Sequence, residues 1–279
     1  KGIVLSSANS INFGRLAPQI AYYFSAYLDL VSSDQIEMGD RVNFAVPTGN
    51  FGNILAAYYA MRMGLPIGKL VCASNKNNIL TDFIRTGVYD KRRDFYKTMS
   101  PSMDILISSN LERLLFEISG RDAARVRALM DALSKEGVYS LSDAEREKVQ
   151  ALFYGDFCGE DETVETIYEF FEEYQYPMDT HTACAKYAAD NYRAKNEKDH
   201  APMVIVCTAS PYKFPQDVMY AITGNDIKDS FKAIKHLNLT TAMKVPKRLA
   251  KLREKPVRFT AVSDKDKLYS EVLKFVDRK

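Results

Sequence analysis

Short apolar runs rich in β-branched residues alternate along this chain with stretches whose apolar residues recur at helical spacing. Residues 42–46, 69–73 and 203–207 are runs of the first kind, each bounded by Pro, Gly or polar turn residues. A run with no polar face is the pattern of a strand covered on both sides. Between them, Ile20, Tyr23, Phe24, Tyr27 and Val31 recur at i, i+3, i+4 and i+7, and residues 53–63 are apolar on nearly every face apart from Arg62. Val126, Leu129, Met130 and Leu133 line one face of a further helix, with Arg125, Arg127, Asp131 and Lys135 outside it. Ser142 followed three residues later by Glu145 is a capping-box signature opening another. Cys184, Tyr187, Ala188 and Tyr192 mark a helix entered from Thr180-His181-Thr182. Such alternation predicts a three-layer α/β fold, a mostly parallel sheet with helices on both faces.

The 279 residues are 46% hydrophobic, with 17 Tyr, 15 Phe and no Trp, enough to bury a core without disulfides or a structural metal. With 38 basic against 36 acidic residues, net charge implies neither a nucleic-acid nor a membrane-surface partner. Cys72, Cys158, Cys184 and Cys207 form no CxxC, and His181, His200 and His236 have no metal-ligand spacing, so free thiols in a reducing compartment are expected and a zinc site is not. No apolar run reaches the roughly 18 residues of a membrane span, and no signal-peptide pattern opens the chain, so a cytoplasmic location is expected. The character changes after residue 223. Residues 1–223 read as the α/β domain, and residues 224–279, rich in Lys, Asp and Pro with small apolar clusters such as Leu268, Val272 and Phe275, read as a C-terminal helical wrap. The basic run 244–253 reads as a solvated face in preference to an anion patch. The chain opens on Lys1-Gly2-Ile3-Val4-Leu5, a strand-like entry without Met: a tag scar, a processed terminus or the interior of something longer.

Three polar segments carry chemistry. Pro47-Thr48-Gly49-Asn50-Phe51-Gly52-Asn53 lies between a predicted strand and a predicted helix. Its two glycines free the backbone to approach a ligand, and the helix that starts there aims unsatisfied N–H groups and a positive dipole end at the same spot. It reads either as a phosphate cradle or as an ordinary tight turn, and Thr48, Asn50 and Asn53 as further donors or as caps. The second segment runs from Ser6 to Arg15, where Asn9, Ser10 and Asn12 favour capping and Arg15 offers a fixed positive fork for an anion. The third, residues 207–215, follows a strand directly, which puts Thr208 at the strand's carboxyl end, where parallel sheets hold ligands; a turn residue is the plainer reading. His181 reads as part of a helix start more readily than as a general base, and no Ser/His/Asp order or paired acids stand out.

The runs SSANSINFGRLAPQIAYYF, VPTGNFGNILAAYYAMRMGLPI, SPSMDILISSNLERLLFE, CTASPYKFP and LNLTTAMKVPKRLAKL, in that order, resemble threonine synthase of the longer bacterial and fungal type, over essentially the whole chain and its C-terminal portion only. The resemblance implies a tryptophan-synthase-β-like type II fold, incomplete at its N-terminus, and a lyase that uses pyridoxal 5'-phosphate to convert O-phosphohomoserine and water to threonine and phosphate. It implies that Gly49, Asn50, Phe51, Gly52 and Asn53 cradle the cofactor phosphate, that Thr208 bonds the pyridine nitrogen, and that Asn9, Ser10 and Arg15 hold the substrate's phosphate. In the family the Schiff-base lysine lies in a run of the form His-Gly-Pro-Thr-x-x-Phe-Lys-Asp, followed by Ser-Gly-x-Thr-Gly. Neither run occurs here, and Lys213, between Tyr212 and Phe214, has the wrong flanks for that role. The expectation is therefore no catalytic residue in this chain, no activity of the chain alone, and an N-terminal portion of the same enzyme as partner. The contrasting readings are a non-catalytic phosphate-binding or interaction protein on the same scaffold, and a paralogue acting on other amino-acid phosphates.

Overall fold

The computed structural model describes residues 9–277. In chain order they form α1 (Phe13–Ser32), β1 (Val42–Pro47), α2 (Gly52–Arg62), β2 (Ile67–Ser74), α3 (Ile79–Thr86), β3 (Val88–Asp90), α4 (Leu111–Ile118), α5 (Ala123–Lys135), β4 (Val138–Ser140), α6 (Asp143–Leu152), β5 (Phe153–Phe157), α7 (Glu160–Tyr174), α8 (Thr180–Lys195), β6 (Met203–Ile205), α9 (Pro215–Thr223), α10 (Ser230–Thr241), α11 (Lys247–Ala250) and α12 (Leu268–Asp277). Four strands pair in the order β5-β2-β1-β6, every pair parallel, and β3 with β4 makes a separate antiparallel ribbon.

The three layers follow from the alternation of side chains along fully covered strands. Val42, Phe44 and Val46 of β1, with Leu70 and Cys72 of β2, enter the larger core, where Tyr23 and Tyr27 of α1 and Ile54, Leu55, Ala56 and Ala57 of α2 meet them. Ala45, Val71 and Ala73 point the other way, onto Ala185, Ala188, Ala189 and Tyr192 of α8. Small residues on both sides of that second contact let the helix lie close to the sheet. The helix faces read from the sequence on α1, α2, α5 and α8 are those that pack, with Ile20, Phe24, Val31 and Met130 at the margin of the core. The capping box is complete: Ser142 Oγ accepts from Glu145 N at 3.3 Å while Glu145 Oε2 accepts from Ser142 N at 2.8 Å.

Three expectations change. Residues 203–207, expected as a buried strand, give only the strand Met203–Ile205, half-buried, because β6 is the edge of the sheet and pairs with β1 alone among the described strands. Strand β5 is not legible as a run: Phe153, Tyr154, Gly155, Asp156 and Phe157 become a strand by pairing with residues 70–74 of β2. Finally, the compact unit of the described residues extends past residue 223, to Ala242, and those from Met243 on form a second unit. The reason is α10, whose Ala233, Ile234 and Leu237 are buried within the first unit. In the second unit the basic run is exposed or half-exposed throughout, and α12 buries none of its residues. No helix of the described residues is long and apolar enough to cross a membrane.

Candidate functional site

The loop after β1 is held tightly on every side except one. Thr48 N donates to Ala73 O at 2.8 Å and Thr48 Oγ1 to Val46 O at 2.8 Å, so the hydroxyl is spent on the turn. Asn53 is engaged at both ends of its side chain, Nδ2 to Pro47 O and Oδ1 accepting from Ile54 N, each at 2.8 Å. Both side chains are engaged within the turn, and neither caps α2, whose N-cap position is Phe51. Asn50 Oδ1 accepts from Ser109 Oγ at 3.4 Å. Phe51 sits at φ 63°, in the left-handed region that disfavours a non-glycine residue, and its ring is wholly buried 5.6 Å from that of Phe153. Local strain of this sort persists only where the surroundings over-determine it.

What remains open is the main chain. Among the described residues, the N–H groups of Gly49, Asn50, Phe51, Gly52 and Asn53 donate to no acceptor. They stand at the N-terminus of α2 and at the carboxyl end of β1, where unsatisfied donors and the helix dipole both favour an anion. Backbone crowds Gly49 from the opposite side: an added Cβ would stand 2.9 Å from Ser102 O and 3.1 Å from Met103 Cα.

A cavity of about 630 Å³ joins the three polar segments, since Arg15, Asn53 and Thr208 line it together with Tyr23, Phe44 and residues 204–207. Tyr23 closes its floor, donating to Asn53 O at 2.7 Å, and burial raises its phenol pKa so that it stays a donor. Cys72, beside Thr48, is pushed by burial up to about 12. Arg15 and Thr208 are exposed at the mouth. Asn9 and Ser10 do not line this cavity. Asn9 Oδ1 closes a turn on Ile11 N at 3.0 Å, and the segment reaches the loop through a residue that sequence reasoning missed, Asn110. Its wholly buried amide donates to Ser10 O at 3.2 Å and to Asn50 O at 3.1 Å, and Arg113 Nη1 donates to its Oδ1 at 2.5 Å. Ser108 Oγ adds a bond to Gly49 O at 2.5 Å. The only sign of this in the sequence is Ser108-Ser109-Asn110 ahead of an apolar helix, which reads as capping.

Two roomier hollows, of about 860 and 770 Å³, have other linings, the first around Arg41, Lys69, Lys195 and Asp199, the second around Ile11, Ser109, Arg113, Arg121 and Arg127, where Ser109 borders Asn50 of the loop. Lys213 is exposed, its ammonium 5.3 Å from the ring of Phe214. All four thiols are free, and the fold brings two that stand apart in sequence, Cys158 and Cys184, onto Thr163 Oγ1 at 3.3 and 3.7 Å. Among the described residues no group of three or more His, Cys, Asp or Glu is arranged to hold a metal.

Comparison with known proteins bears on this arrangement. Residues 182–276 match the family model described as threonine synthase, C-terminal. The chain is 46% identical over 230 residues to human threonine synthase-like 1, covering 82% of the chain and 30% of that protein. It is 41% identical over 224 residues to the threonine synthase of Pseudomonas aeruginosa, covering 80% of the chain and 46% of the enzyme. Among solved structures, the PLP-bound threonine synthase of Brucella melitensis superposes with a TM-score of 0.81 and 39% identity over 99% of the chain and 53% of its own. Yeast threonine synthase does so at 0.81 and 30% over 97% and 54%. The chain thus spans about a third to a half of the relatives it matches, and its fold is the type II fold that the resemblance implied. By sequence and by fold, the chain matches the C-terminal portion of threonine synthases.

Proposed function

We propose that this chain is the portion of a threonine synthase that holds two phosphates, that of pyridoxal 5'-phosphate and that of O-phosphohomoserine, for a parent enzyme that converts O-phosphohomoserine and water to threonine and phosphate. The observation that carries the reading is the run of unpartnered amides over residues 49–53, at a helix N-terminus and with Gly49 and Gly52 free of side chains. Gly49, Asn50, Phe51, Gly52 and Asn53 hold the cofactor phosphate by main-chain donors. Thr208, across the same cavity, offers a neutral hydroxyl to the pyridine nitrogen. Arg15, with Asn9 and Ser10, holds the substrate's phosphate, where a guanidinium gives charge and two aligned donors. Bound there, pyridoxal phosphate supplies the electron sink that such a reaction needs, while these residues orient both phosphates. All of these residues fall within the unit that ends at Ala242, which we assign to the cofactor-binding domain of a cytoplasmic enzyme.

The test is a titration of the ¹⁵N-labelled chain with pyridoxal phosphate, following amide resonances. The expected result is saturable shifts of residues 49–53. Shifts confined to surface lysines, or none, overturn the reading. Its second arm uses the protein as encoded. There Arg15→Ala raises KM for O-phosphohomoserine about tenfold or more, the scale of one lost charge-assisted hydrogen bond, and changes cofactor affinity far less. An unchanged KM removes Arg15 from the substrate site. A second reading is a paralogue acting on another amino-acid phosphate, since the chain is 46% identical to a protein named threonine synthase-like as well as 41% identical to one named threonine synthase. No turnover of O-phosphohomoserine by the protein as encoded, with turnover of a different phosphorylated amino acid, would select it.

A further inference from the structure

We propose that Asp179 and His181 are a buried positioning pair that fixes the wall of the 49–53 loop, and so sets the affinity of that loop for phosphate; the proposal rests on the reading of the loop as a phosphate cradle. The pair lies at the start of α8, with Asp179 1% and His181 2% exposed. Asp179 Oδ1 caps the helix by accepting from His181 N at 2.9 Å, and it also faces His181 Nδ1 at 3.1 Å. On the far side of the ring, Ser102 N donates to His181 Nε2 at 3.2 Å. A backbone amide can only donate. Nε2 therefore carries no proton, and the ring proton is on Nδ1, directed at the carboxylate.

The imidazole is thus a rigid spacer between a charged acceptor and one backbone amide of the segment that follows β3. Phe214 covers its face, ring to ring at 4.8 Å, and keeps water from competing for Nε2. Burial raises the Asp179 pKa, but hydrogen bonds from His181 and Thr182 outweigh it and hold the carboxyl below its usual range, so the acceptor stays charged. The neighbouring Thr180 Oγ1 donates to Met99 O at 2.7 Å, so the first turn of α8 grips the segment at two points.

The same segment is the wall of the loop. Ser102 uses its N–H on His181 and sets its carbonyl against Gly49, 2.9 Å from where a Cβ would stand. Gly49 is the first residue of the unpartnered amide run. Asp179, His181, Ser102 and Gly49 therefore form one continuous path from α8 to the donors. A wall with two anchored residues stays where it is, and amides with a fixed direction bind an anion more tightly than amides that must first be ordered. A cap alone accounts for Asp179, and burial alone for a histidine, but neither accounts for an acceptor aimed at the wall of the amide loop.

The probe is inorganic phosphate, titrated into the ¹⁵N-labelled chain and read at residues 49–53. His181→Gln keeps an acceptor within reach of Ser102 N, whereas His181→Met fills similar space without one. The expected result is phosphate affinity within about threefold of the native chain for Gln and about tenfold weaker for Met, the scale of one buried donor left unsatisfied. Because coupling is reciprocal, phosphate also slows hydrogen exchange of the Ser102 amide in the native chain, a readout that needs no variant. The imidazole nitrogens of the native chain should report the Nδ1–H tautomer. Native affinity in His181→Met, Ser102 exchange indifferent to bound phosphate, or an Nε2–H tautomer each overturns the proposal. If the native chain shows no phosphate shift at residues 49–53, the reading of the loop itself falls, and the proposal with it. If His181→Met does not fold, the exchange and tautomer measurements on the native chain decide.

Discussion

A Cβ on Gly49 would stand 2.9 Å from a backbone oxygen and 3.1 Å from a Cα, neither of which can swing aside as the end of a side chain can. Gly49→Ala should therefore destabilise the chain by about 1–3 kcal/mol, the usual cost of overpacking, with the loss read as a lower urea midpoint. The same change pushes the loop off Ser102, so phosphate affinity should fall as well. Unchanged stability and affinity would mean that the 99–103 segment yields easily. Gly52 is less confined, since the atom a Cβ would meet is the side-chain Nδ2 of Asn110 at 3.3 Å. Single residues in the sequence pointed to this spot: two glycines three apart, flanked by short polar residues, are a local signal. The partners of Gly49 were not legible, because Ser102 and Ser108 are more than fifty positions away and nothing local encodes that contact.

At the scale of elements, α6 was the plainest reading, since a capping box is written in consecutive residues and depends on no distant partner. The fold adds one to it. Arg125 of α5 forms a paired bridge to Glu145, Nε to Oε1 at 3.1 Å and Nη2 to Oε2 at 2.8 Å. Arg125 and the bonds from Ser142 outweigh the effect of burial and bring the Glu145 pKa from 4.5 down to about 2. A carboxylate whose pKa is lower in the folded chain contributes stability above its unfolded pKa and loses it as pH falls through the folded value. The stabilisation from Glu145 should thus be complete above about pH 4.5 and fade toward about pH 2. Glu145→Gln should lower the urea midpoint at pH 7 and should matter little at pH 2, and an equal effect at both would show that the charge plays no part. Elements that depend on neighbours were read less well. Strand β5 contains Gly155 and Asp156 and has no strand pattern of its own, yet Arg85 Nη2 on Asp156 Oδ1 at 2.7 Å and pairing with β2 make it one. Strand β6 has the pattern of a buried strand and stands at an edge.

At the scale of the molecule, the parallel sheet collects at one end what the chain spreads over some two hundred residues. Arg15, Asn53 and Thr208 share a cavity because α1, α2 and β6 all reach the carboxyl end of β1, the position at which open parallel sheets hold ligands. Lys213 follows β6 closely in sequence but lies exposed beside Phe214 and is absent from the lining of that cavity. Borohydride reduction of the chain with pyridoxal phosphate should accordingly give no stoichiometric adduct at Lys213, with intact mass and peptide mapping as the check. A single full adduct there would make Lys213 the cofactor's lysine and overturn its exclusion.

By itself the sequence determined the class of fold, the helix faces, the capping box and the place of the amide loop, because periodicity, caps and glycines act over a few residues. Tertiary structure alone decided that Asn110 ties Ser10 to Asn50, that Asp179 and His181 reach Gly49 through Ser102, and that β5 is a strand. Each of these is a contact between segments far apart in the chain, made when the layers pack, and a single sequence carries no local record of which distant group will satisfy a given donor.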